Sequence, residues 1–136
     1  MAVYEFSADP ARIDIDRTHR WIAEESYWGQ DRARERHVAA IANSRAYGVY
    51  EAESGEQVGF ARIITDGITF AWLCDVFVDP ERRGEGIGKR LMAGITAELE
   101  PLALRRVMLI TADAHGLYAS YGFEPLDDPA KFMARA

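Results

Sequence analysis

The chain has 136 residues, 49% hydrophobic and 28% charged, and 16 Lys plus Arg against 22 Asp plus Glu give a net charge of −6. That length fits one domain, since chains split mainly beyond about 250 residues, and the composition excludes disordered and collagen-like architectures. The acidic surplus is the reverse of what counterion-driven nucleic-acid binding uses, and no run approaches the roughly 18 apolar residues of a membrane span, so neither partner is expected.

Met1 to Pro10 lacks a basic-then-apolar leader, and the lone Cys74 leaves no intrachain disulfide. A reducing, cytoplasmic setting is the expectation. Val3 to Phe6 reads as a strand ended by Ser7-Ala8-Asp9-Pro10. Asp16 to Glu25 is helical with Trp21 and Ile22 on its apolar side, and Tyr27-Trp28-Gly29 interrupts it. A second helix is predicted from an N-cap at about Asp31 to Asn43, with Val38 and Ile41 inward and Arg32, Arg34 and Arg36 on a solvated face.

Three strands follow: Ala46 to Ala52, Gln57 to Thr65 and Ile68 to Val78. Ser54-Gly55 turns the first, and Asp66-Gly67 predicts a type I′ hairpin. The third is long enough that a bend or bulge is expected. Ile87, Leu91, Met92, Ile95 and Leu99 then mark one face of a helix that Pro101 limits. Val107 to Thr111 has the continuous apolar run of a strand buried on both faces, and the strand–helix–strand spacing makes it parallel to the one before. A short helix, about Ala114 to Tyr121, and a closing strand near Gly122 to Leu126 complete one α/β domain, residues 1–136, with a mixed sheet.

The segment Val76-Phe77-Val78-Asp79-Pro80-Glu81-Arg82-Arg83-Gly84-Glu85-Gly86-Ile87-Gly88-Lys89-Arg90 joins a strand to a helix through three glycines at every second position. Glycine admits close backbone approach, and a helix N-terminus offers free N–H donors with a positive dipole end. A phosphate or pyrophosphate is the natural occupant. Lys89 is followed by Arg90, which breaks a P-loop, and Gly-x-Gly-x-Gly is not the Rossmann spacing.

Arg83-Gly84-Glu85-Gly86-Ile87-Gly88 resembles the acetyl-CoA signature Gln/Arg-x-x-Gly-x-Gly/Ala of the GCN5-related N-acetyltransferase (GNAT) family. Leu117-Tyr118-Ala119-Ser120-Tyr121-Gly122-Phe123 resembles that family's aromatic-Tyr-x-x-x-Gly-Phe segment, and strand and helix order match over nearly the whole chain. The resemblance implies a mixed sheet of six to seven strands with about four helices, and acetyl-CoA as cosubstrate. Its pyrophosphate would lie on backbone N–H groups of Arg83 or Gly84, Gly86, Gly88 and Lys89, with Ile87 inside the loop. Its pantetheine would pair with Val76 and Val78 on either side of Phe77, between parallel strands that splay apart. Thr111, where relatives often have Asn, would keep one hydrogen bond to it. Homodimers are common among relatives.

Tyr118 matches the family's general acid for the leaving thiolate, and Tyr121 fits the core. The amine acceptor must be neutral, which for an alkylamine at pH 7 costs about 4.6 kcal/mol. Relatives often place a Glu where Cys74 stands here, so Asp75 is the candidate base, its alternatives being a water chain for the proton and a bulge-stabilising role for Asp75. The N–H of Val76 is the expected donor to the thioester carbonyl. Tyr27, Trp28, Phe70 and Trp72 are expected to wall the acceptor, a small-molecule or peptide amine. Cys74 reads as a small buried hydrophobe, Asp113 as an N-cap, and His19, His37 and His115 lack ligand spacing, so no metal site is expected. A CoA-binding regulatory module and a phosphate- or nucleotide-binding protein remain as alternatives.

Overall fold

The structure, a computed structural model, describes residues 2–136; Met1, where the expected domain begins, lies outside them. β1 (Tyr4–Ser7), β2 (Arg45–Glu51), β3 (Gln57–Thr65), β4 (Phe70–Val78) and β5 (Arg106–Met108) form one sheet in the order β1-β2-β3-β4-β5. The first four strands are antiparallel neighbours, and β4 and β5 are parallel, as the crossover through α3 (Ile87–Leu99) requires. No helix among the described residues is long and apolar enough to cross a membrane.

Five strands stand where six to seven were expected, because Gly122 to Leu126 forms no strand. Only Phe123 in that segment turns toward the core, and Pro125 has no N–H to give a ladder. β5 is also shorter than Val107 to Thr111. It is an edge strand, only half-buried, and Ile110 is exposed rather than enclosed on both faces. An apolar run reads the same whether a strand or an open cleft lies beside it.

α1 (Ile15–Arg20) runs into a π-helical turn, Trp21–Glu25, and Trp21 and Ile22 are buried there as the periodicity predicts. α2 (Arg34–Ala42) starts three residues after the expected cap. Asp31 sits at φ 63, and His37, not the exposed Val38, joins Ile41 inside. The turn after β3 is longer than the expected two-residue hairpin. Only Gly67 takes a positive φ, and Asp66 folds its carboxylate onto the N–H groups of Ile68 and Thr69.

Two hydrophobic clusters pack on the sheet, one beneath α3 and one beneath α1 and the π turn. All five predicted apolar positions of α3 are buried. Gly94 in α3 faces the ring of Phe6 so closely that a Cβ there would collide with it. β4 carries the expected bulge. Phe60 pairs with Phe77 but Arg62 with Cys74, so β4 has one residue more than β3, and Asp75 beside the shift takes φ 55. The extra residue changes which side chains face α3: Ala71 and Leu73 before the bulge, Val76 and Val78 after it.

Candidate active site

β4 and β5 stay paired for three residues, from Phe70↔Arg106 to Trp72↔Met108, and then part. From Leu73 to Val78 the edge of β4 that would face β5 has no strand partner among the described residues. A cleft of about 560 Å³ opens there. β4 forms its floor, Leu109 and Thr111 after β5 and Leu117 and Tyr118 of α4 (His115–Ala119) form one wall, and Tyr27 and Trp28 form the other. Arg83 and Gly88 close the end beside the glycine loop.

The loop itself is built for φ. Gly84 and Gly86 lie at φ 88 and 80, where a side chain is strained, and a Cβ on either would meet nothing. Gly86 is the N-cap of α3, so the first N–H groups of the helix, from Ile87 to Lys89, point out without intrahelical acceptors. The Ile87 side chain is core. The loop is tethered from outside: Tyr4 Oη donates to Glu85 Oε1 at 2.6 Å, and Arg82 Nη1 donates to Tyr4 Oη at 3.1 Å and to Glu51 Oε2 at 2.7 Å. The Arg83 guanidinium lies over the Phe77 ring at 5.6 Å.

Of the residues expected at the site, Tyr27, Trp28, Trp72, Asp75, Val76, Phe77, Val78, Arg83, Gly88, Thr111 and Tyr118 line the cleft. Gly84, Gly86 and Lys89 sit at its mouth in the loop and helix start, and Phe70 stands outside its rim, exposed. Thr111 Oγ1, not Asp113, takes the N–H of Ala114 at the start of α4. Tyr27 Oη takes the N–H of Ala112 at 3.1 Å, joining the two walls over the cleft.

The Tyr118 ring is buried edge-on to Phe123, and its hydroxyl makes no hydrogen bond among the described residues. Burial first, then the neighbouring Tyr27 and Asp113, pushes its pKa up to about 12. It therefore holds its proton throughout the physiological range. Burial likewise pushes the Cys74 thiol up to about 11, which keeps it a thiol rather than a nucleophilic thiolate at neutral pH.

Asp75 is the most heavily engaged group. Arg32 grips both its oxygens at 2.7 and 3.0 Å, Arg62 Nε donates to Oδ2 at 2.7 Å, and the Trp28 indole donates to Oδ1 at 3.0 Å. Burial alone would raise its pKa; the two guanidiniums outweigh that and leave it below the ordinary carboxylate range. Arg32 was expected on a solvated face and Arg62 was not singled out. A lone charge among Gly59-Phe60-Ala61 and Ile63-Ile64 is nonetheless a signal, because a buried Arg needs a partner.

Two of the three histidines, separated along the chain, meet in space. His19 and His37 rings lie 5.5 Å apart, each committed to a local hydrogen bond, to Arg32 O and Thr18 Oγ1 respectively.

A family model described as an acetyltransferase (GNAT) domain matches residues 42–125. A Gibberella zeae protein named as an acetyltransferase is 32% identical over 133 residues, covering 85% of this chain and 75% of the relative. The crystal structure of a Xanthomonas campestris pv. campestris protein assigned to the GNAT family is 42% identical with a TM-score of 0.93, covering 100% of this chain and 94% of that one. A Clostridium acetobutylicum acetyltransferase solved with acetyl-CoA shares the fold at 17% identity and a TM-score of 0.66, covering 100% of this chain and 96% of that one.

Proposed function

Because the chain belongs to the GNAT family of N-acetyltransferases, we propose that it moves an acetyl group directly from acetyl-CoA to an amine, the whole chain acting as one such domain. The observation that carries this reading is the parting of β4 from β5 beside a glycine loop that begins a helix. Gly84 and Gly86 hang no side chain over the loop, which leaves a diphosphate access to the N–H groups of Gly86, Gly88 and Lys89. The unpaired edge at Val76 and Val78 is open to amide groups in the manner of an added strand. Acetyl-CoA supplies the activated acyl group as a thioester.

In the transfer an N–C bond forms and a C–S bond breaks; the amine gives up a proton and the thiolate gains one. The Tyr118 hydroxyl is the donor for that thiolate. It lines the cleft, has no competing partner among the described residues, and remains protonated at neutral pH. The N–H of Val76 is the donor to the carbonyl oxygen. Asp75 was the candidate base, and its partners favour the alternative role. Both its oxygens already accept from Arg32, so it fixes the bulge and the Trp28 wall while water takes the amine's proton.

Calorimetry of acetyl-CoA with the wild type and Gly86→Val tests this. The variant places a side chain where φ is 80 and the diphosphate would lie, so affinity falls at least about tenfold in a folded protein. Unchanged affinity in a folded variant overturns the assignment of the loop.

A further inference from the structure

The half of the cleft away from the glycine loop is aromatic and carries carboxylates. Tyr27 and Trp28 pack edge to face with ring centroids 5.0 Å apart, yet remain 59% and 43% exposed. Trp72 faces them from the floor. Ile64 is the register partner of Trp72 on β3, and Phe70 lies two residues before it, so both continue the same face of the sheet. They are 47% and 38% exposed, forming an apolar strip that runs out of the cleft along β4.

Besides the paired Asp75, two carboxylates, Glu25 and Asp113, line this cleft, and neither makes an ion pair among the described residues. Arg83 is the one cationic side chain lining it among the described residues, and it stands at the glycine-loop end. Arg32 and Arg62 leave one positive charge behind Asp75, which Glu25 and Asp113 together outweigh.

Resting on the acetyl-transfer reading above, we propose that the acceptor is a primary amine carried on an apolar, preferably aromatic body and bearing no carboxylate or phosphate. Its ammonium form is drawn in by Glu25 and Asp113, and the aromatic walls add a favourable face for a cation. Its body covers Trp72 and Phe70, apolar surface that otherwise stays in water. An amino acid or a sugar phosphate brings an anion against Glu25 and Asp113, while Arg83, the one cationic side chain lining the cleft among the described residues, stands at the glycine-loop end. A linear polyamine brings a second ammonium onto the Phe70–Ile64 strip, where the register partner of Phe70 on β5 is Arg106, a like charge.

Matched amines test this: phenethylamine, phenylalanine, spermidine and glucosamine 6-phosphate. Each is titrated by calorimetry into the wild type saturated with CoA, so that no turnover intervenes, and each is assayed with acetyl-CoA by thiol release. Phenethylamine is expected to bind at least about tenfold more tightly than phenylalanine and to show the highest kcat/KM of the four. Glu25→Gln and Phe70→Ser, both at exposed positions, each raise its Kd severalfold while the Kd of acetyl-CoA holds. Equal or tighter binding of phenylalanine, spermidine or the sugar phosphate overturns the proposal, as does indifference to both substitutions. A protein that binds acetyl-CoA yet neither binds nor acetylates phenethylamine overturns the acceptor class alone. One that does not bind acetyl-CoA overturns the donor reading beneath it.

Discussion

The indole nitrogen of Trp28 donates to Asp75 Oδ1 across 3.0 Å, tying the loop after the π turn to the bulge of β4. With Arg32 gripping the same carboxylate from that loop, the Trp28 wall of the cleft hangs on one buried residue of the floor. In the proposed transfer Asp75 therefore acts as a positioning residue.

Asp75→Asn is expected to raise the acceptor KM at least about fivefold while the acidic limb of the pH–rate profile keeps its place. A base would instead take the limb away and cost roughly 10²–10⁴ in rate. Leaving Arg32 and Arg62 without a charge partner costs about 3–5 kcal/mol, enough to threaten the fold. Trp28→Phe removes the indole donor together with part of the ring's surface, leaves Asp75 paired with both guanidiniums, and should shift the acceptor KM in the same direction.

Tyr4 holds the glycine loop from β1 through its 2.6 Å bond to Glu85. Tyr4→Phe keeps the ring in the cluster beneath α3 and deletes the tether. The KM for acetyl-CoA should rise about threefold to tenfold with kcat unchanged, because a loosened loop weakens binding before it touches chemistry. A fall in kcat at constant KM would contradict this role.

The glycine loop and the inner face of α3 were legible in the sequence because both are local patterns, a spacing of glycines and a spacing of apolar residues. The bulge was legible too, from strand length alone. Its partners were not, since Arg32 lies 43 residues from Asp75 and Arg62 lies 13 away. Charge on a helix reads as solvated unless something brings a buried carboxylate to it. Tyr4 gave no signal for the same reason: its partner Glu85 is 81 residues away. The segment after Tyr121 misled because Gly122-Phe123-Glu124-Pro125-Leu126 alternates like a strand without a neighbour to pair with.

His37 is buried and neutral. Thr18 Oγ1 gives its proton to Asp14 O, so it accepts from His37 Nε2, and the bare Nδ1 faces Arg32 Nη1 at 3.4 Å. Burial, and next the Arg32 charge, lowers its pKa from 6.5 to about 4. His19 and Arg62 push the same way, and Asp75 opposes them. The unfolded chain thus binds the proton first, and the stability His37 contributes is complete above pH 6.5 and is lost as pH falls toward 4. The thermal midpoint should drop across that window, and His37→Gln should flatten the drop. A wild-type midpoint level from pH 6.5 to 4 would contradict the assignment.

Tyr118 carries the chemistry of the account. Tyr118→Phe removes the one hydroxyl that faces the cleft unpartnered among the described residues, and it keeps the ring against Phe123. The decisive measurement is the single-turnover rate of acetyl transfer to an amine whose chemistry is rate-limiting, taken beside the calorimetric affinity for acetyl-CoA. The rate should fall by roughly 10²–10⁴ with affinity nearly unchanged. A folded Tyr118→Phe protein whose rate falls less than about threefold would make Tyr118 a core residue and leave the thiolate without its proton donor.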